Sequence, residues 1–191
     1  MKTPSYRLVL ASKSPRRQQL LSELGVEFVV RTKDVPEDYP DELPKTEIAR
    51  YLAERKARAH QPELAQEEVV LTSDTTVVLD NRQLEKAADA DEARSMLQAL
   101  SGRTHQVITG VCLAGPNRLE SFDDTTEVTF RGLTSQEIDY YINTFQPFDK
   151  AGAYGIQEWI GMIGVERMVG SYFTVMGLPT HRVYTAIQNW L

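Results

Sequence analysis

The chain has 191 residues, 41% of them apolar and 25% charged, which fits one buried domain or two small lobes and excludes both a disordered chain and a multidomain machine. Its 27 acidic and 21 basic residues leave a net charge of −6, so a nucleic-acid-wrapping surface is not expected, and a polyanionic ligand would need local cations or a metal ion. No run approaches the roughly 20 apolar residues that span a bilayer, the start has no apolar signal core, and one cysteine with three histidines supports neither an internal disulfide nor a zinc cage, so the expectation is a cytoplasmic protein without a membrane partner.

Tyr6–Ala11 reads as a buried strand. It runs into Ser12-Lys13-Ser14-Pro15, where Ser14 suits an N-cap and Pro15 the first position of a helix that buries Leu20, Leu21 and Leu24 and stops at Gly25. Glu27–Arg31 is a second strand, followed by an acidic, proline-containing loop from Asp34 to Pro44. A second helix is expected from Thr46 to His60, with Ile48, Tyr51, Leu52 and Ala59 on its apolar side. Val69–Leu79 is a long β segment interrupted in polarity by Ser73-Asp74-Thr75-Thr76, and Asp80-Asn81 is a turn.

Asp89–Glu92 resembles a capping box opening a helix through Leu100, with Ala93, Met96, Leu97 and Leu100 on one face and Ser101-Gly102 as its stop. Gln106–Ala114 and Glu120–Phe130 are β segments joined by the turn Gly115-Pro116-Asn117. Thr134–Glu137 caps a helix containing Ile138, Tyr141, Ile142 and Phe145. Pro147–Gly177 is the least periodic stretch, and Pro179–Leu191 is a final helix presenting Val183, Tyr184, Ile187 and Trp190. Strands and helices interleave, and several strand pairs are joined by turns too short for crossovers, so the fold class is α/β with a mixed sheet.

Reactive chemistry concentrates in a few segments. Ser12-Lys13-Ser14-Pro15-Arg16-Arg17 combines two hydroxyls, three bases and the unpaired N–H groups of a helix start, a set that suits an anion, though it also suits a capped surface helix with solvated bases. Asp74 emerges from a buried strand, where a carboxylate needs a cation, a metal ion, or donors from a neighbouring turn. Lys56 and Lys86 are either ligand clamps or ordinary exposed lysines. Glu37 lies where five of the nine residues from Asp34 to Glu42 are acidic, a pattern usual for a solvated loop. In Phe148–Gln157 two glycines permit close backbone approach, and the Gln157 amide, a donor and acceptor at once, suits a base edge or a tight structural turn. Cys112, mid-strand in an apolar run, reads as a packed thiol.

Ala11–Arg17, Leu52-Ala53 with Lys56-Ala57, Ser73-Asp74-Thr75, Lys86, Ser101-Gly102 with His105, Thr109-Gly110-Val111, Asp149–Gln157 and Val175–Pro179, taken in this order, resemble the Maf family of nucleoside triphosphate pyrophosphatases. The resemblance implies an elongated mixed β-sheet flanked by helices, two lobes around a central cleft similar to inosine triphosphate pyrophosphatases, and a single domain over residues 1–191. It implies hydrolysis of a nucleoside triphosphate to the monophosphate and pyrophosphate with a divalent metal cation, Mg²⁺ or Mn²⁺. Arg16, Thr75 and Gln157 match the branch acting on dTTP and UTP, whereas Trp, Gln and Glu tend to stand there in the branch acting on methylated GTP.

Ser12, Ser14, Arg16, Arg17, Lys56 and Lys86 are thereby implied as phosphate ligands, Asp74 as proton acceptor, and Asp74 with Glu37 as metal ligands. The two roles of Asp74 compete, because a metal-bound carboxylate is a poor base. Water attack at the α phosphorus calls for in-line placement and charge neutralisation rather than a covalent nucleophile. The resemblance also implies a homodimer. Two alternatives accompany it: the same chemistry on other or modified nucleotides, and a nucleotide-binding regulator of septum formation.

Overall fold

The structure, a computed structural model, describes residues 6–190 and divides into two compact units. One comprises the described residues up to Asp74, Thr109–Asp124 and those from Gly177 onward; the other comprises Thr75–Ile108 and Thr125–Met176. In chain order the elements are β1 (Arg7–Leu10), α1 (Pro15–Glu23), β2 (Phe28–Val30), α2 (Ile48–His60), β3 (Glu68–Leu79), β4 (Arg82–Leu84), α3 (Ala90–Leu100) and β5 (Thr104–Ala114). They continue with β6 (Leu119–Phe130), α4 (Ser135–Phe145), α5 (Trp159–Gly164), β7 (Val165–Val169), α6 (Tyr172–Val175) and α7 (Thr180–Trp190). The seven strands among the described residues form one mixed sheet in the order β2-β1-β3-β5-β6-β7, with β4 paired to β3.

In the first unit, Leu8–Leu10 pair in parallel with Phe28–Val30, and the parallel pairing needs the crossover that α1 supplies. Ser14 leaves the chain extended ahead of Pro15 at the first helical position, and Leu20 and Leu21 are buried. On its other side β1 pairs in parallel with β3, Arg7 to Leu10 against Glu68 to Leu71, across α2. The helix α2 buries Ile48 and Leu52 as the sequence suggests, but its buried face turns towards Ala49, Ala53 and Ala57, and Tyr51 is exposed.

Gly110 of β5 accounts for that rotation. A Cβ there would lie 2.3 Å from the backbone carbonyl carbon of Ala49, so helix backbone rests directly on the strand and only small side chains fit beside the contact. Ala53 and Ala57 pack with Val9, Val70, Cys112 and Ala114. The last helix, α7, buries Val183, Ile187 and Trp190 as spaced, but Tyr184 is exposed.

In the second unit, Asp80 and Asn81 both adopt positive φ (48° and 62°), which turns β3 into β4 through a two-residue hairpin pairing Val77 with Leu84 and Leu79 with Arg82. Asp89 caps α3 by accepting from the Glu92 N–H at 2.9 Å, but Glu92 reaches back to the N–H of Ala88 rather than to that of the cap itself. The box at Thr134 and Glu137 of α4 is complete. Ala93, Met96, Leu97 and Leu100 of α3 share a core with Ile138, Tyr141 and Ile142 of α4 and Val128 and Phe130 of β6. The stretch 147–177, irregular by its sequence pattern, holds α5, β7 and α6, each too short to show a period.

Candidate active site

Asp74 and Thr75 are half-buried in the middle of β3, which runs unbroken through the polar interruption. Lys56, on α2, reaches this point: its Nζ donates to Asp74 Oδ1 at 2.6 Å and lies 2.6 Å from Glu37 Oε1. The Lys56 and Asp74 side chains are 18% and 14% exposed, whereas Glu37 is 50% exposed. Burial of Ala57 against the strand layer places Lys56, one residue earlier, at this edge of the helix. Lys56 is thus a half-buried lysine paired with two carboxylates rather than an exposed one.

The start of α1 is built beside the same strand. Ser12 is buried, its Oγ accepts from the Ser14 N–H at 3.2 Å, and its carbonyl accepts from Gln18 Nε2 at 3.1 Å. Ser14 occupies the N-cap position, but its hydroxyl makes no capping bond, and no acidic residue lies in the first turn to offset the positive end of the helix. Arg17 donates from Nε to the Gly177 carbonyl and from Nη1 to the Ser73 carbonyl, each at 2.8 Å. These bonds tie α1 to the residue preceding Asp74. Burial pushes the Arg17 guanidinium down from its ordinary value, opposed first by the Asp74 carboxylate and more weakly by Glu37. Arg16 is half-buried and adds a like charge next to Arg17.

The acidic loop is not simply solvated. Asp34 pairs with Lys13 at 2.7 Å, Glu37 with Lys56, and Asp38 Oδ1 with Arg55 at 2.8 Å.

The second unit carries Thr75, Lys86 and Gln157. Lys86 is exposed and its backbone bridges antiparallel to Ala151, while the Gly152 N–H donates to the carbonyls of Leu84 (3.1 Å) and Glu85 (3.0 Å). The lysine segment and the loop leading to Gln157 are therefore stapled together. Gly152 (φ +68°) and Ala153 (φ 55°) turn the loop. Tyr154 is then buried, with its OH 2.7 Å from His105 Nε2, and the Gly155 N–H donates to Tyr141 OH at 3.0 Å. Gln157 is exposed. Sequence reading missed Tyr141, Glu158 and Lys150, whose mutual contacts span 8 to 17 residues and carry no local motif. Cys112 is fully buried, and its thiol is pushed up to about 12 by burial. That environment suits packing, not nucleophilic attack.

The donor set can be weighed for a cation. Among the described residues no three His, Cys, Asp or Glu side chains gather as a metal-holding group, but Asp74 and Glu37 converge as a carboxylate pair on one ammonium. Carboxylate oxygens are the donor type that a hard divalent cation takes, so this pair would suit one, and in this structure both oxygens face the Lys56 ammonium. No helix among the described residues is long and apolar enough to cross a membrane.

A protein-family model described as Maf-like protein matches residues 7–190. The chain is 52% identical over 185 residues to a dTTP/UTP pyrophosphatase of Phocaeicola vulgatus, covering 96% of each. It is 48% identical over 188 residues to a dTTP/UTP pyrophosphatase of Flavobacterium psychrophilum, covering 98% of this chain and 96% of that relative. Among solved structures it is similar to the Staphylococcus aureus Ham1 protein, with a TM-score of 0.50, 15% identity, and coverage of 94% of this chain and 99% of the other, a likeness of fold.

Proposed function

The chain belongs to the Maf-like protein family, and from that membership we propose that it hydrolyses nucleoside triphosphates, dTTP and UTP first among them, to the monophosphate and pyrophosphate. One observation carries the reading on the structural side: the Lys56 ammonium lies between the carboxylates of Asp74 and Glu37, beside the uncapped start of α1. Charge neutralisation and in-line placement are what phosphoanhydride hydrolysis demands.

In this proposal the first-turn N–H groups of α1, Ser12, Ser14, Arg16, Arg17 and Lys56 hold phosphate oxygens, and Lys86 is a further phosphate ligand by family resemblance. Thr75 and Gln157 read the base, where a buried or oriented polar group left unpaired rejects a wrong ligand. Asp74, with Glu37, would hold Mg²⁺ or Mn²⁺, which when bound supplies charge neutralisation at the phosphates. Asp74 would alternatively accept the proton of the attacking water, a role that excludes its being a ligand of the cation at the same time.

The test is a nucleotide panel (dTTP, UTP, CTP, methylated GTP) with pyrophosphate detection in ¹⁸O water. The proposal expects kcat/KM highest for dTTP and UTP and label in the monophosphate. Binding without turnover by the unaltered protein would instead favour a regulatory nucleotide binder, and a preference for methylated GTP would overturn the base assignment.

A further inference from the structure

The loop before Gln157 is held by a polar network that none of the residues assigned above belongs to. Tyr141 of α4 is fully buried, stacks on Phe145 with ring centroids 5.2 Å apart, and points its hydroxyl at the loop. That hydroxyl donates to Glu158 Oε2 and accepts from the Gly155 N–H at 3.0 Å. The other oxygen of Glu158 lies 3.2 Å from Lys150 Nζ, which is itself 9% exposed and also pairs with Asp149 at 2.7 Å. One phenol thus grips the chain two residues before Gln157 and, through a carboxylate, one residue after it.

The surrounding packing leaves the carboxylate little choice of position. A Cβ on Gly155 would come within 2.8 Å of Glu158 Cδ, so the side chain of Glu158 is folded back over that glycine. A Cβ on Gly161 would lie 1.9 Å from the Ile156 carbonyl oxygen, so α5 presses against the loop from the far side. Ile156 is buried, and only Gln157 is exposed in this stretch. The network therefore holds the chain on both sides of one exposed side chain, that of Gln157.

We propose that Tyr141 and Glu158 are positioning residues for substrate selection: they fix the Gln157 amide so that it pairs with the pyrimidine edge of the nucleotide. The inference rests on the reading of Gln157 as a base-reading residue. Neither Tyr141 nor Glu158 touches the reacting phosphates in this scheme. Their loss leaves turnover at saturation in place and weakens discrimination, because a mobile amide pairs less well with the right base and gives nothing to the others.

The experiment uses the full chain with Tyr141→Phe, Glu158→Gln, Gln157→Ala and the double variant Tyr141→Phe/Gln157→Ala. Expected for Tyr141→Phe is a fall of about tenfold in kcat/KM for dTTP and UTP, carried by KM, with CTP and methylated GTP unchanged. In the Gln157→Ala background Tyr141→Phe has no further effect on dTTP, since the two act as one unit. Equal losses on every nucleotide, or a full tenfold loss persisting in the Gln157→Ala background, overturn the proposal. Amide exchange provides a readout independent of turnover: Gly155–Gln157 should exchange faster in Tyr141→Phe while β5 and β6 keep their protection. Should the unaltered protein hydrolyse no pyrimidine nucleotide, the proposed function fails. The positioning role is then judged by exchange alone, and unchanged exchange at Gly155–Gln157 overturns it.

Discussion

His105 gives a prediction whose size can be worked from the fold. It lies in β5 of the second unit, 2% exposed, edge-on to Phe130 and Tyr154 at ring centroid distances of 5.3 and 5.4 Å. Its Nε2 meets Tyr154 OH, and its Nδ1 is buried without a hydrogen-bond partner. Burial alone lowers its value from 6.5 to about 4. The native imidazole therefore stays neutral while that of the unfolded chain takes a proton below pH 6.5. Stability from this group is complete above pH 6.5 and is lost as pH falls from there towards 4. Each pH step of one between those two values removes about 1.4 kcal/mol, so the loss reaches about 2 kcal/mol by pH 5 and about 3 kcal/mol in all.

Urea unfolding at pH 7.5 and 5.0 measures it. A Trp190→Phe background leaves Trp159 as the fluorescence reporter of the second unit. His105→Gln should be less stable at pH 7.5, having lost aromatic packing, but its stability should fall about 2 kcal/mol less on acidification. The comparison cancels His60, whose value burial also lowers, because that residue is unchanged in both proteins. Parallel pH profiles for the two proteins would refute the reasoning.

Asp74→Asn should lower kcat by about 10² to 10⁴ with the far-ultraviolet circular dichroism unchanged, since the amide keeps the shape and removes the charge facing Lys56. Lys56→Met should leave Asp74 and Glu37 facing one another without their shared ammonium; Tm should fall, and Mg²⁺ should raise it again in the variant more than in the unaltered protein, measured by scanning calorimetry. Gly110→Ala should cost at least about 4 kcal/mol in urea unfolding, because the new methyl meets the backbone of Ala49 and Arg50, which cannot give way without moving α2. Glu68, bonded by both Arg31 amino groups at 2.8 and 2.9 Å, is held at about 2 against an ordinary 4.5; its stabilisation is full above 4.5 and disappears as pH falls towards 2, so Glu68→Gln should flatten that acid limb in urea titrations at pH 5 and 2.5.

The sequence makes legible those elements whose information is local. Pro15, the Thr134–Glu137 box and the Asp80-Asn81 turn stand where their chemistry places them, because caps and turns are decided within four residues. The buried face of α2 escapes its own periodicity because its orientation is dictated by Gly110, a residue some 60 positions later that admits helix backbone against the strand. Likewise β4, α5, β7 and α6 are three to six residues long, shorter than the window in which periodicity is defined. Within the site, residue types mark Lys56, Asp74 and the α1 start only as candidates with structural alternatives, and the family resemblance is what gathers them. The pairing of Glu37 with Lys56, and the Tyr141–Glu158 grip on the loop, are tertiary contacts invisible to any local pattern.

The net charge of −6 poses a question that the first unit answers. Lys13, just before α1, and Arg55 and Lys56 of α2 are paired with carboxylates of the 34–44 loop and, for Lys56, of β3, and those carboxylates differ in how firmly they are held. Asp34, Asp38 and Glu37 are 93%, 73% and 50% exposed, so their pairs lie largely in high dielectric and hold weakly. Asp74 is 14% exposed and fixed on β3, so its attraction to Lys56 is screened far less. The exposed pairs at Lys13 and Arg55, and the Glu37 side of Lys56, are therefore the easier ones to break, while the Lys56–Asp74 contact keeps the α2 ammonium in place. Under the proposed function, that gradation in burial would let a phosphate displace the exposed carboxylates before the buried one.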